Sequence, residues 1–163
     1  INDYFLENYA RISGRHETPS LRLLSDLSED PLADLKSSRE KDRILQRTTR
    51  GIHKDELEFL IDDMPVKKIA SQGQLKSYIL SVRLAQYAWL REKTGGRPIL
   101  LLDDIFDKLD QSRVNALIDI LSGDAFGQVF LSDTSITRLP DIFAQGDMEW
   151  RLFEIDEGQI KST

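Results

Sequence analysis

Four aliphatic residues, Ile99-Leu100-Leu101-Leu102, run straight into two carboxylates, Asp103-Asp104. An apolar run without polar alternation predicts a strand covered on both faces, as in a parallel sheet, and open α/β sheets bind ligands at the carboxyl ends of such strands. Two acids delivered there suit a bound Mg²⁺ and an activated water. Asp103 would hold the metal, largely through water because Mg²⁺ keeps much of its hydration shell, and Asp104 would orient the nucleophile. The same pair has two other readings: a phospho-accepting receiver pocket, and a structural cap of the following loop. A receiver pocket calls for a paired acid near an earlier strand and a lysine after a later one, and Asp133 is oddly placed for that.

A second group with chemical potential is Ser71-Gln72-Gly73-Gln74. Ser71 with Gln74 three residues on matches a capping box, and Leu75, Ile79, Val82, Ala85, Gln86 and Trp89 follow at helical spacing. Arg91 and Lys93 then precede Gly95-Gly96, so the pattern predicts one long amphipathic helix. The plain role of Ser71 is a cap. A helix tip carrying Ser and Gly is also an anion site, because its free amides and dipole favour a phosphate.

The elements around these groups follow from similar cues. Asp110 can cap a helix with Val114, Leu117, Ile118 and Leu121 on one stripe, closing near Gly123. A second apolar run, Gln128-Val129-Phe130-Leu131, stops at Ser132-Asp133-Thr134, which predicts a strand–helix–strand crossover with both strand ends on one edge. Trp150, Leu152, Phe153 and Ile155, turning at Glu157-Gly158 towards Ile160, predict a closing edge hairpin. Earlier, Leu57, Phe59 and Ile61 alternate with Glu58 and Leu60, and Asp62-Asp63-Met64-Pro65 separates them from Val66–Ala70, a second hairpin pattern. From Ile1 to about Arg50 the chain is polar, with helical spacing only in pieces such as Leu21, Leu24 and Leu27, and is expected to be peripheral and helical. Asp30-Pro31 is a plausible helix start. Lys41, Arg43, Arg47 and Arg50 read first as a solvated face and second as a phosphate-facing strip.

Composition narrows the function classes. With 163 residues and 40% hydrophobic content the chain can form one full core. A net charge of -6 argues against a surface that coats nucleic acid generally, though not against a local basic strip. There is no cysteine, and only His16 and His53 offer imidazole, so a zinc site is not expected. No apolar stretch approaches the roughly 20 residues of a membrane span, and the expected location is cytoplasmic. The chain opens on Ile1 mid-pattern and reads as a fragment. No Gly-x-x-x-x-Gly-Lys-Ser/Thr loop occurs, Lys76-Ser77 being preceded by Leu75.

Three strings together go further: Arg47-Thr48-Thr49-Arg50-Gly51-Ile52-His53-Lys54-Asp55-Glu56-Leu57; Ser71-Gln72-Gly73-Gln74-Leu75-Lys76-Ser77 running to Arg83-Leu84-Ala85-Gln86; and Leu102-Asp103-Asp104-Ile105-Phe106-Asp107-Lys108-Leu109-Asp110. Their order and separation resemble the C-terminal half of an ABC-type ATPase head of the SMC-like branch, and within it the RecF family of DNA replication and repair proteins. The resemblance covers roughly Arg47 to the end. It implies an α/β fold, a mostly parallel sheet flanked by helices, over residues 49–163, with residues 1–48 ending a helical arm.

The resemblance also implies roles. Two heads of such ATPases sandwich two nucleotides, so Ser71 and Gly73, within the signature stretch Ser71-Gln72-Gly73-Gln74, would meet the γ-phosphate held by the other head. Asp103 would be the Mg²⁺ ligand and Asp104 the catalytic base. Asp107 and Asp110 would lie in the loop crossing the dimer interface, and Thr134 or Ser132 would stand where many ABC proteins place a switch histidine. Asp104 departs from the glutamate common in the class; its shorter side chain leaves the water farther away, which fits slow hydrolysis used as a switch. His53 reads first as a buried hydrogen-bonding residue and second as a sensor. The implied cofactors are ATP and Mg²⁺. The implied partners are gapped or junction DNA, RecO, RecR and an ATP-dependent second copy, in loading RecA. Without the phosphate-binding loop this piece alone is expected to be silent. A non-catalytic interaction module, or the head of another SMC-like ATPase, remains the alternative.

Overall fold

The computed structural model describes residues 1–14, 17–135, 138–143 and 149–161, with the side chain of Asp141 left aside. His16 lies outside these residues. Packing groups them into a larger unit, residues 1–17 and 70–163, and a smaller one, residues 18–69.

In the larger unit, helix α1 (Asn2–Ser13) packs along α4 (Gln72–Thr94) and touches α5 (Gln111–Leu121). The N-terminal segment expected to be peripheral is therefore partly core. Phe5 and Tyr9 are fully buried and meet Tyr78 at ring-centroid distances of 4.9 and 5.5 Å, within the range of favourable aromatic pairs. Leu80, Leu84, Leu100, Leu102, Phe106, Val114 and Leu117 continue this core.

The helix predicted from Ser71 to Gly95 is present, but it turns a different face inward. Its buried residues are Ser77, Tyr78, Leu80, Ser81, Leu84, Ala85 and Tyr87, whereas Ile79 and Trp89 of the expected stripe are exposed. Two serines explain this. Ser77 Oγ donates to the Gly73 carbonyl (2.9 Å) and Ser81 Oγ to the Ser77 carbonyl (2.8 Å), so both hydroxyls are satisfied within the helix and present a small surface to the core. At the far end Gly95 takes φ 66° and closes the helix onto the Arg91 carbonyl.

Strands β4 (Leu100–Leu102) and β5 (Val129–Leu131) pair in parallel, Leu101 opposite Phe130, with α5 between them in sequence as expected. Coverage differs from the expectation. Leu100 and Leu102 are buried, but Ile99, Leu101 and Phe130 are exposed, so the described residues cover only one face. A short helix α6 (Arg138–Phe143) follows. The expected C-terminal hairpin forms from β6 (Glu154–Asp156) and β7 (Gln159–Lys161), with Glu157 and Gly158 both at positive φ, as a two-residue turn requires. Among the described residues it forms a separate two-stranded sheet.

The smaller unit differs more from its pattern. Residues Pro19–Leu24, read as helical, form strand β1, antiparallel to β2 (Glu56–Ile61), with Leu21 opposite Phe59. Asp62 and Asp63 make a tight turn at positive φ, but β3 is only Met64–Pro65, and Val66–Ile69 is a helical turn, α3, where a strand was expected. Asp30 caps α2 (Pro31–Leu45) by accepting from Ala33 N at 3.0 Å, with Pro31 at the first helical position, as the sequence predicts. The Gly-Ile-His-Lys stretch forms a 3₁₀ turn, Ile52–Lys54. Gly51 sits at φ 132°, and a Cβ there would come 3.0 Å from the His53 ring. No helix among the described residues is long and apolar enough to cross a membrane.

Candidate functional site

The tip of α4 is built as the sequence predicts. Ser71 Oγ accepts from Gln74 N (3.2 Å) and Gln74 Oε1 accepts from Ser71 N (2.7 Å), a complete capping box worth about 1 kcal/mol of helix stability. The box is anchored further inside the unit. Gln74 Nε2 donates to Glu17 Oε1 at 2.6 Å, and the other Glu17 oxygen accepts from the Tyr9 hydroxyl. Burial, and then that carboxylate, push the Tyr9 hydroxyl far above the ordinary tyrosine range. Gln74 is thus occupied at both ends of its amide, while Ser71 and Gln72 stay exposed.

Asp103 and Asp104 stand exposed at the end of β4. Ser132, directly after β5, joins them: its hydroxyl donates to Asp103 Oδ1 and accepts from Asp104 N at 2.9 Å. Parallel pairing carries it there, since Leu102 lies opposite Leu131 and Ser132 N donates to the Leu102 carbonyl (3.0 Å). Thr134 is exposed and makes no hydrogen bond among the described residues, so of the two switch-position residues Ser132 is the one that touches the acids. Asp133 between them is turned inward, with a side chain only 2% exposed whose Oδ2 lies 3.2 Å from Arg138 Nη1.

After the acids the chain makes a tight loop in which Asp104 (φ 46°) and Lys108 (φ 64°) both take the left-handed conformation, a strain of about 1–3 kcal/mol for each non-glycine residue. The tip of α4 packs on this loop. A Cβ on Gly73 would lie 3.1 Å from both the Lys108 carbonyl and Arg113 Nη1, a tight contact that would push helix and loop apart by a few tenths of an ångström, so glycine suits this close approach. Lys76, a turn further along, donates to the carbonyls of Asp104 (2.6 Å) and Asp107 (2.8 Å).

Asp110 caps α5 through Arg113 N (3.0 Å) and pairs with Arg113 Nε (3.2 Å). The Ser112 hydroxyl, followed by the Arg113 amide, holds its carboxyl below the usual carboxylate range. Arg113 Nη1 in turn donates to Ser77 Oγ on α4 (3.1 Å). The Asp107 carboxylate lies 3.5 Å from Lys108 Nζ.

The structure thus brings Gly73 against the loop that begins at Asp104, and links that loop through Asp110 and Arg113 back to α4. Among the described residues no hydrogen bond joins Ser71 or Gln72 to the acid pair. Lys76 and Arg113 were not singled out as contacts by the sequence reading, because a cation on a helix carries no mark of the carbonyl or hydroxyl it will find. His53, expected to be buried, is exposed and pairs through Nε2 with Thr48 Oγ1 at 3.0 Å. Of the candidate basic strip, Arg50 is tied to Asp34 (2.8 Å) and Arg43 to Glu40 (3.1 Å), while Lys41 and Arg47 are exposed.

As a metal site, Asp103 and Asp104 offer hard carboxylate oxygens from adjacent residues, and no group of three possible ligands occurs among the described residues. Such a pair suits Mg²⁺, which takes one or two carboxylates and completes its shell with water and substrate phosphates.

A parallel strand pair ending in acids, a capped helix tip packed on the following loop, and helices against one face define the fold of an ABC/SMC-like ATPase head. Two solved structures share it: the recombination mediator protein RecF with ATP, at TM-score 0.67 and 24% identity, and the same protein with an ATP analogue, at TM-score 0.65 and 23% identity. Each is covered to 42% of its length by 98% of this chain; at that identity the likeness is one of fold. No family model matches the chain. The sequence relatives are nearer: the DNA replication and repair protein RecF of Parabacteroides distasonis is 44% identical over 96% of this chain, and that of Cytophaga hutchinsonii is 41% identical over 98%. Over almost its whole length the chain is therefore similar in sequence to RecF proteins. It spans about 43% of the Parabacteroides protein and 42% of the Cytophaga one, and a C-terminal portion fits that coverage.

Proposed function

We propose that this chain is the signature-bearing part of a RecF-type protein that binds ATP and DNA in replication and recombinational repair. The packing of the Gly73 tip on the loop after Asp103-Asp104 carries this reading, because a nucleotide shared between two copies needs one helix tip and one acid pair held in register. Asp103, oriented by Ser132, would bind Mg²⁺. The metal supplies charge neutralisation at the phosphates; this chain's residues supply position.

Asp104 is the base that orients water, at a reach one methylene short of glutamate, which suits slow turnover. Ser71 and Gly73 present backbone amides and a hydroxyl to the γ-phosphate held by the second copy, and Gln72 flanks them. Asp107 and Asp110 lie in or beside the loop that crosses to that copy, and Thr134 is the exposed candidate for a phosphate sensor. The solved relatives are described as a recombination mediator of the RecFOR pathway, which supports a role beside RecO and RecR; the proposal adds gapped or junction DNA as substrate and RecA loading as the outcome.

The test uses the full-length protein that contains this chain. Replacing Asp104 by Asn lowers DNA-stimulated ATP hydrolysis about 100-fold, the scale of a lost general base, and unchanged turnover would overturn its role. Ser71→Arg abolishes ATP-dependent dimerisation, measured by light scattering, while nucleotide binding persists. A dimer that survives that change would remove the helix tip from the shared site.

A further inference from the structure

Lys76 is poorly explained by its own helix. It lies near the N-terminus of α4, where the macrodipole disfavours a cation, and no carboxylate pairs with it among the described residues. Its ammonium instead reaches two backbone carbonyls, Asp104 O at 2.6 Å and Asp107 O at 2.8 Å. Those atoms lie at the first strained residue of the loop and immediately before the second, Lys108. The acids of this segment have other partners: Asp107 faces Lys108 Nζ, and Asp110 is held by Arg113 and Ser112. Lys76 therefore fixes the path of the backbone rather than balancing a side-chain charge.

We infer that Lys76 is a positioning residue: it clamps the loop that starts at Asp104 to the helix whose tip carries Ser71 and Gly73, so that phosphate contact at the tip and water orientation at Asp104 are set by one rigid element. This rests on the function proposed above. Arg113, bridging Asp110 to Ser77, closes the far end of the same clamp, and at Gly73 the helix lies close enough to the loop that an added Cβ would stand 3.1 Å from the Lys108 carbonyl. The left-handed turn at Asp104 directs its carbonyl, and the ammonium selects that turn over the extended conformations an aspartate otherwise prefers.

The experiment compares Lys76→Met and Lys76→Arg in the full-length protein. Met keeps length and apolar stem without a donor. It should lower kcat for ATP about tenfold, the scale of losing charge-assisted hydrogen bonds, with KM within about twofold, because uniform binding of nucleotide is untouched. Arg, whose planar fork can span two carbonyls, should recover most of the rate. Amide hydrogen exchange over residues 105–109 should quicken about tenfold in Met and not in Arg, with or without nucleotide. An unchanged kcat in Met, a loss that Arg does not recover, or unchanged exchange would each overturn the proposal. Exchange is read even if the wild-type protein hydrolyses no ATP. A wild type without turnover but with the exchange difference would sink the proposed function and the catalytic half of this inference, while leaving the clamp.

Discussion

The core of the larger unit is made of volume: Phe5, Tyr9, Tyr78, Leu80, Leu84, Phe106 and Leu117 are at most 2% exposed. Residues 18–69 bury only Leu60, Ile61, Val66 and Ser38 among those described, and leave Leu23, Ile44 and Ile52 largely exposed. What orders the smaller unit is a set of carboxylates on backbone amides and hydroxyls. Asp42 accepts from Thr49 N (2.9 Å), Thr49 Oγ1 (2.6 Å) and Ser38 Oγ (3.1 Å). Asp34 accepts from Ser28 N (2.5 Å) and Arg50 (2.8 Å). A shape held by packing responds to lost methylenes, and a shape held by carboxylates responds to protons. The candidate catalytic groups sit on the first kind, as positioning to fractions of an ångström requires.

The contrast breaks most visibly in a truncation series. Leu117→Ala, at a fully buried position, should cost about 2–5 kcal/mol in urea unfolding, whereas Leu23→Ala, 66% exposed, should stay within about 0.5 kcal/mol. Equal costs would mean that the two regions are not held differently. Next in size is the cap on which the site stands: Ser71→Ala should cost about 1 kcal/mol. The Gln74 carbonyl can still accept from the residue 71 amide, so Gln74→Ala, which removes the return bond and the Glu17 contact together, should add to it. Additive losses would show that the Glu17 anchor acts separately from the serine; a single loss shared by both would show that they act as one network.

What could be read without coordinates was whatever is local in sequence. The capping box at Ser71 and Gln74, the caps at Asp30-Pro31 and Asp110, the stop at Gly95 and the Glu157-Gly158 turn each lie within a few residues of their partners, and each is present. What escaped depends on partners far away in the chain. Residues 19–24 look helical by spacing and become a strand because Glu56–Ile61 is there to pair with them. The inward face of α4 was misjudged because Ser77 and Ser81 count as polar until their hydroxyls are seen to be spent on the preceding turn. At the site, the acids were legible from an apolar run that ends in carboxylates. Ser132 could be placed on the same edge as the acids and beside Thr134 at the switch position, but its bonds to Asp103 and Asp104, like those of Lys76 to the loop, could not be read, since each spans 28 or more residues.

The smallest effect is the one that separates the two regions by chemistry alone. The Asp34 carboxyl is held below the usual range first by the Ser28 amide, and that of Asp42 first by the Thr49 hydroxyl. A carboxylate whose folded value is depressed stabilises the fold fully above its unfolded value, near 3.9, and loses that contribution as pH falls through the folded value. The smaller unit should therefore loosen below about pH 4, with amide exchange at Thr49, whose N–H donates to Asp42, accelerating as pH drops once the intrinsic chemistry is corrected for. Asp42→Asn should remove most of that pH dependence, since an amide keeps one acceptor but does not titrate. The buried amides of Leu84 and Leu117, protected by packing, should show the same protection on both sides of that pH. If they loosen together with Thr49, the carboxylate-held and volume-held regions unfold as one cooperative body, and the distinction between them is only one of composition.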